Sequence, residues 1–222
     1  MIKGVIFDFD GLIVDTESVW YEAYAEVLAG LYNAELQLTH FAKCIGTGND
    51  VLIEHFQQLV GESKIDFDNI ERLALEKYEE KLTVPILRKG VKEYLLEAKS
   101  LNLKIGLASS SSEKWVKGYL EKLDVLNYFE VINTKDAVKK IKPDPELYVK
   151  TVNDLGLQPV EVIAFEDSLN GLTAAKAAGI YCVIVPNDVT KHLEFTTHDY
   201  HLESMEEECL SDIVIRAKST NN

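Results

Sequence analysis

Gly4-Val5-Ile6-Phe7-Asp8-Phe9-Asp10-Gly11-Leu12-Ile13-Val14-Asp15-Thr16-Glu17 is the stretch on which the reading of this chain turns. A short apolar run breaks into two aspartates at i and i+2, followed by a glycine. Alternate side chains of an extended chain lie on one side, so Asp8 and Asp10 project together from the end of a strand. Carboxylates so placed hold a cation, or serve as nucleophile and proton carrier. Asp-x-Asp-Gly alone is a weak signal. It is not a calcium loop, because the glycine falls at the fourth place rather than the sixth and an apolar strand precedes it.

Outward from this motif, apolar runs recur at Val5–Phe7, Lys104–Ala108, Val131–Asn133, Val162–Phe165 and Ile180–Val185. Helical patterns separate the later ones. Val91, Tyr94, Leu95, Ala98 and Leu101 share one helical face, as do Val116, Tyr119, Leu120 and Leu123. Ser110-x-x-Glu113 reads as a capping box. Asp144-Pro145 reads as an N-cap followed by the first helical residue. Ser168 reads as the cap of a helix that Gly179 ends, and Lys218–Asn222 as a frayed tail. Strand and helix in alternation predict an α/β fold, a Rossmann-like parallel sheet doubly wound by helices on both faces.

One segment breaks the alternation. Residues 16–82 show no strand pattern, only helical stretches at Val19–Gly30, Asp50–Val60 and Asp68–Lys81, with Gly46-Thr47-Gly48-Asn49 as punctuation. The expected organisation is an α/β catalytic core, 1–15 and 83–222, with an inserted all-helical cap domain, 16–82. Ligands of open α/β sheets bind outside the carboxyl ends of the strands. An insertion rooted just after Asp10 would roof such a site and shut out water.

A chain of 222 residues with 46% apolar content can bury a substantial core. Lys and Arg number 23 against 37 Asp and Glu, a net charge of −14, which gives no positive footprint for nucleic acid or an anionic membrane. An anionic substrate must then be drawn in locally, by a metal or by placed lysines. Cys44, Cys182 and Cys209 are far apart and lack metal-ligand spacing, so they read as reduced thiols. With no leader pattern and no membrane-length apolar run, a cytoplasmic location is expected.

Four short elements sit at expected strand ends. They are Asp8-x-Asp10-Gly11, the hydroxyl cluster Leu107-Ala108-Ser109-Ser110 (with Ser109–Ser112 also readable as a helix cap), Lys142-Pro143-Asp144-Pro145, and Phe165-Glu166-Asp167-Ser168. Each alone has a bland reading: a solvated lysine, a helix cap, a strand terminus. Together they supply what phosphoryl transfer needs. Acidic oxygens from Asp8, Asp167 and a backbone carbonyl suit magnesium, and the metal with Lys142 would offset the charge of the phosphate. Asp8 would attack phosphorus to give an aspartyl-phosphate. Asp10 would protonate the leaving alkoxide and then deprotonate water. Hydroxyls and free N–H groups at Ser109 and Ser110 suit the transferring oxygens.

This combination resembles the haloacid-dehalogenase superfamily of phosphohydrolases over nearly the whole chain. Asp8-x-Asp10, Ser109, Lys142 and Glu166-Asp167 match the four family motifs in order, and the insertion is similar to the family's smaller helical cap. The resemblance implies Asp8, the Asp10 carbonyl and Asp167 as magnesium ligands, with Glu166 holding metal-bound water. Asp8-Phe-Asp-Gly-Leu-x-x-Asp15-Thr-Glu17 and Lys142-Pro-Asp-Pro are similar to the branch with β-phosphoglucomutase and small sugar-phosphate phosphatases, including the 2-deoxyglucose-6-phosphate type. Where the mutase has a cap histidine and a cap arginine, this chain has Trp20 and Asn49. Lys77 is the loose match to a cap lysine. The substrate-facing set expected from the resemblance is Gly11, Thr16, Trp20, Gly46, Thr47, Asn49, Lys77 and Ser110. The reading favours a magnesium-dependent phosphatase of small phosphate monoesters, with a small phosphorylated metabolite as its partner and a monomeric state. The alternatives are a phosphosugar mutase and a non-catalytic binding protein; the latter should have lost a catalytic carboxylate or the lysine, and none is missing.

Overall fold

The motif strand is central. In the computed structural model, which describes residues 1–61, 65–82 and 84–220, β1 (Gly4–Phe7) leads into helices α1 (Glu17–Tyr32), α2 (Leu38–Phe41), α3 (Asn49–Val60) and α4 (Phe67–Lys81). The chain continues through α5 (Val91–Ser100), β2 (Lys104–Ala108), α6 (Glu113–Lys122), β3 (Val131–Asn133), α7 (Glu146–Asp154) and β4 (Val162–Glu166). It ends with α8 (Leu169–Ala177), β5 (Tyr181–Ile184), β6 (Tyr200–His201) and α9 (Leu210–Thr220). The sheet runs β3-β2-β1-β4-β5-β6, with every pairing parallel.

From β1 the chain builds outward through β2 and β3, then crosses back to β4 on the other side. The carboxyl ends of β1 and β4 therefore flank the point where winding reverses, the place where such sheets bind ligands. Phe7 pairs with Phe165, and the Asp8 N–H donates to Phe165 O at 3.0 Å. That register sets Asp8 beside Glu166 and Asp167.

Both faces of the sheet are covered, which is why its strands read as continuous apolar runs. Ile163 and Phe165 of β4 pack with α5, α6 and α9, whereas Val162 and Ala164 pack with α7 and α8. Phe7 and Phe165 stack at 5.2 Å directly beneath the motif. Each such buried ring contributes about 1.5–3 kcal/mol. In the inserted segment α1 buries Ala23, Tyr24, Val27 and Leu28, and α4 buries Ile70, Ala74 and Tyr78, each at helical spacing. Asp66 caps α4 by accepting the Asn69 N–H at 3.1 Å. Residue 83, where the core was expected to resume, lies outside the described residues.

Several local expectations need correction. Ser112, not Ser110, caps α6 and accepts the Trp115 N–H at 3.3 Å. Glu113 is the first helical residue, and no Ser110–Glu113 box forms. Helix α7 starts at Glu146, one residue late, although Asp144 Oδ1 still accepts the Glu146 N–H at 3.1 Å. The expected frayed tail is helical through Thr220, held because α9 buries Leu210, Ile213 and Ala217; Asn221 and Asn222 lie outside the described residues. The short α2 and the two-residue β6 were not foreseen, since neither is long enough to show a period.

Candidate active site

Asp8 ends β1 and is nearly buried. Lys142, from the turn before α7, reaches under it and donates to Asp8 Oδ1 and, at 2.6 Å, to Glu166 Oε1. Glu166 is wholly buried and fully used. Its Oε1 also accepts the Tyr148 hydroxyl at 2.6 Å, while its Oε2 accepts Ser168 Oγ and the Asp167 N–H, both at 3.3 Å. Asp167 is equally buried. Its Oδ2 accepts Asn187 Nδ2 at 2.6 Å, but its Oδ1 is buried without a partner among the described residues.

Oxygens of Asp8, Glu166 and Asp167 lie within 4.8 Å of one another. Three carboxylates around one ammonium leave two negative charges uncompensated. The cost appears in the titration behaviour. Burial pushes Asp8 up to about 8, with the Glu166 charge adding to it and Lys142 opposing. Burial, then Asp8 and Glu166, hold Asp167 well above the usual carboxylate range. For Lys142 burial pulls downward, but the charges of Asp8 and Glu166 outweigh it and raise the ammonium. An orphaned oxygen facing surplus negative charge fits a divalent cation. The saturated Glu166 fits contact through water rather than direct ligation.

Asp10, two residues on, is held by four donors. Thr16 Oγ1 and Trp115 Nε1 each donate to its Oδ1 at 2.9 Å. Ser111 Oγ and Ser109 Oγ donate to its Oδ2 at 2.5 and 3.5 Å. Gly11 then turns the chain with φ +78°; a Cβ there would meet Asp167 Oδ2 at 2.2 Å, so only glycine fits.

Asp8, Asp10, Ser109, Ser110 and Asp167 floor a cavity of about 320 Å³. Its roof comes from the inserted helices, with Trp20, Tyr24, Gly46, Thr47, Asn49 and Glu71. Trp20 stacks on Tyr78 at 4.6 Å and lies 6.1 Å from Trp115, so the roof and the core share one aromatic wall. The roof is latched. Ser110 Oγ donates to Gly46 O at 3.0 Å, and Asn170 Nδ2 donates to Ile45 O at 2.7 Å. At Gly46, φ +79°, a Cβ would approach Ser168 Oγ to 3.1 Å.

Most of the expected residues come together here, with three departures. Lys77 does not reach the cavity: it pairs with Glu80 at 2.8 Å on the outer face of α4. Thr16 and Gly11 do not line the cavity either; Thr16 is buried against Asp10, and Gly11 lies in the turn below it. Lys142 and Glu166 support the floor from beneath rather than forming it.

Reading the sequence missed Trp115, Ser111, Tyr148, Arg88, Asn187, Glu17 and Glu71. Glu17 lines the cavity with its carboxyl pushed well up, by burial first and then by Asp10, Asp8 and Asp15. Asn49 Nδ2 donates to Glu71 Oε1 at 3.0 Å, fixing an acid in the roof. Ser111 carried a usable signal, since it lies within the quoted serine cluster. So did Glu17, which closes the opening motif; the others act through distant partners that spacing does not reveal.

Residues 5–185 match the family described as haloacid dehalogenase-like hydrolase. The whole chain is 44% identical to YhcW of Bacillus subtilis (strain 168), over 222 residues and the full length of both. It is 36% identical over 186 residues to the phosphorylated carbohydrates phosphatase of Thermotoga maritima, covering 81% of this chain and 82% of that one. Among solved structures, a variant of CbbY from Rhodobacter sphaeroides in complex with xylulose-(1,5)bisphosphate superposes with a TM-score of 0.77 at 28% identity. That match covers 95% of this chain and 98% of the other. No described helix is long and apolar enough to cross a membrane.

Proposed function

Because the chain belongs to the haloacid dehalogenase-like hydrolases and is a phosphatase, we propose that it hydrolyses small sugar phosphates with magnesium, through an aspartyl-phosphate on Asp8. The observation that carries this reading is the cavity floor. It sets the buried Asp8 carboxylate over an ammonium, an orphaned carboxylate oxygen nearby, and a second aspartate held by four donors two residues away.

Asp8, Asp167 Oδ1 and the Asp10 carbonyl would hold magnesium, with Glu166 supporting the site through water, and the ion would supply the positive charge that lets an ionised Asp8 meet an anionic phosphate. Lys142 keeps Asp8 aimed at the cavity from below. An Asp8 oxygen attacks phosphorus, and the bond from phosphorus to the ester oxygen breaks. Asp10, oriented by Thr16, Trp115 and Ser111, gives its proton to the departing alkoxide. It then takes one from the water that attacks the phosphorylated Asp8, which releases inorganic phosphate and restores the carboxylate. Ser109 hydrogen-bonds the transferring oxygens. The roof excludes bulk water while this happens.

Two features support a sugar as the remainder of the substrate. Trp20 and Trp115 offer aromatic surface to a sugar ring, and the Asn49–Glu71 pair offers hydrogen bonds to its hydroxyls. The far wall also argues against a mutase that must grip a second phosphate. Glu71 stands there, and Lys135 is the one cation among the described lining residues.

The test is phosphate release from a panel of sugar monophosphates, nucleotides and simple phosphate esters, with magnesium, with EDTA, and with Asp8→Asn. Release from sugar monophosphates that needs both magnesium and Asp8 is expected. Release that persists in EDTA or in Asp8→Asn, or none from any sugar phosphate, overturns the proposal.

A further inference from the structure

The loop after β5 has no part in the chemistry above, yet it ends inside the acidic cluster. Asn187 is buried, and all its amide positions are engaged. Its Oδ1 accepts the N–H groups of Val189 and Thr190 at 2.8 and 3.0 Å. Those two donors fix the amide's orientation, so Nδ2 faces Asp167 Oδ2 at 2.6 Å and Gly11 O at 3.4 Å. Arg88, returning from the inserted helices, gathers three carbonyls. It donates to Gly11 O, to Pro186 O at 2.6 Å and to Val185 O at 3.2 Å. One guanidinium thus ties the turn after Asp10 to the two residues just before Asn187.

The consequence falls on Asp167. Asn187 occupies one carboxylate oxygen and leaves the other buried and unpartnered, in a residue that has an oxygen within 4.8 Å of those of Asp8 and Glu166. We infer that Asn187 is a positioning residue that locks Asp167 in the orientation a divalent cation needs, and that Arg88 sets Asn187 and the Asp10–Gly11 turn in register with each other. This rests on the metal reading given above. Partners that orient a ligand's second atom typically change metal affinity by about 10–100-fold when removed.

A purely structural role is the competing explanation, because Asn187 also caps the turn at residues 187–190. Thr190 separates the two. Its Oγ1 accepts the Asn187 N–H at 3.1 Å and donates to Asn187 Oδ1 at 3.3 Å. Without it the Val189 and Thr190 N–H groups still hold that oxygen, so the amide keeps its orientation toward Asp167 while the turn loses a support. The experiment is calorimetric titration of metal-free protein with magnesium, paired with melting curves, for wild type, Asn187→Ala, Thr190→Ala and Arg88→Lys. Asn187→Ala should weaken magnesium binding about 10–100-fold, while Thr190→Ala lowers the melting temperature and leaves the affinity within about twofold of wild type. Arg88→Lys keeps the charge but cannot span three carbonyls, so it should weaken binding in the same direction and carries the test if Asn187→Ala does not fold. Wild-type affinity in Asn187→Ala and Arg88→Lys, or an equal loss in Thr190→Ala, overturns the inference. A wild-type protein that takes up no divalent cation overturns the metal reading itself, a distinct outcome.

Discussion

Two glycine-to-alanine changes in helices should move stability in opposite directions. In α6 an added Cβ at Gly118 meets nothing within 4 Å, so Gly118→Ala should stabilise by about 1 kcal/mol through helix propensity. At Gly171, in the first turn of α8, the same atom would lie 2.0 Å from the Glu166 carboxylate. That carboxylate must retreat by more than about 1 Å to restore contact distance. A side-chain tip ordinarily yields cheaply, but Glu166 is 0% exposed and bonded to Lys142, Tyr148, Ser168 and the Asp167 N–H. Overpacking costs about 1–3 kcal/mol, and each hydrogen bond lost to a charged group about 1.5–3 kcal/mol. With one such bond lost the propensity gain is outweighed, and a net loss of about 1.5–5 kcal/mol is expected for Gly171→Ala. Urea unfolding followed by tryptophan fluorescence measures both variants, since Trp20 and Trp115 sit at the roof–core contact. Gly171→Ala as stable as wild type would refute the claim that Glu166 is locked, and with it the rigid support assigned to Lys142.

Three further outcomes follow from the same geometry. Trp115→Phe keeps the ring but removes the Nε1 donor to Asp10; a charged hydrogen bond of about 1.5–3 kcal/mol implies a fall in kcat of about ten- to a hundredfold. An unchanged kcat would detach Trp115 from the proton-transfer step. Glu71→Lys replaces the acid of the far wall with a cation, and should raise kcat/KM for a sugar bisphosphate relative to the monophosphate by at least about tenfold. A constant ratio would mean the tail of the substrate never meets Glu71. In metal-free protein Asp8 binds protons more tightly folded than unfolded, its value rising from 3.8 to about 8. The folded state then holds more protons between those values, so stability should decline as pH rises from about 4 to about 8. Melting curves in EDTA that rise over that range would contradict the burial argument, and saturating magnesium should flatten the decline.

The sheet was legible because parallel strands buried on both faces are continuous apolar runs, and here helical periods separate them. Three of the four motifs were legible because each falls where a strand stops; Lys142-Pro-Asp-Pro, expected at a strand end, instead lies well past β3 in the turn before α7. What escaped depends on distance in the chain. Nothing near Arg88 says that its guanidinium closes on carbonyls at Gly11, Val185 and Pro186. Asn187, in a Pro-Asn-Asp turn, looks like any loop residue until β4 and β5 bring it to Asp167. The misread cap is instructive too. Ser110 and Ser112 both have the chemistry for an N-cap; Ser112 takes that place, while the Ser110 hydroxyl bonds to Gly46 O in the roof, a partner far away in the chain. Lys77 was misplaced because a loose match in sequence does not fix which face of α4 a side chain occupies.

The most direct test of the account is to quench the enzyme during turnover of a sugar monophosphate and map any covalently bound phosphoryl group by mass spectrometry. A single phosphoryl group on the peptide containing Asp8, formed only with magnesium and absent from Asp8→Asn, is the expected result. Turnover at full rate with no phosphorylated Asp8 under fast quenching, or with undiminished activity in Asp8→Asn, would contradict it.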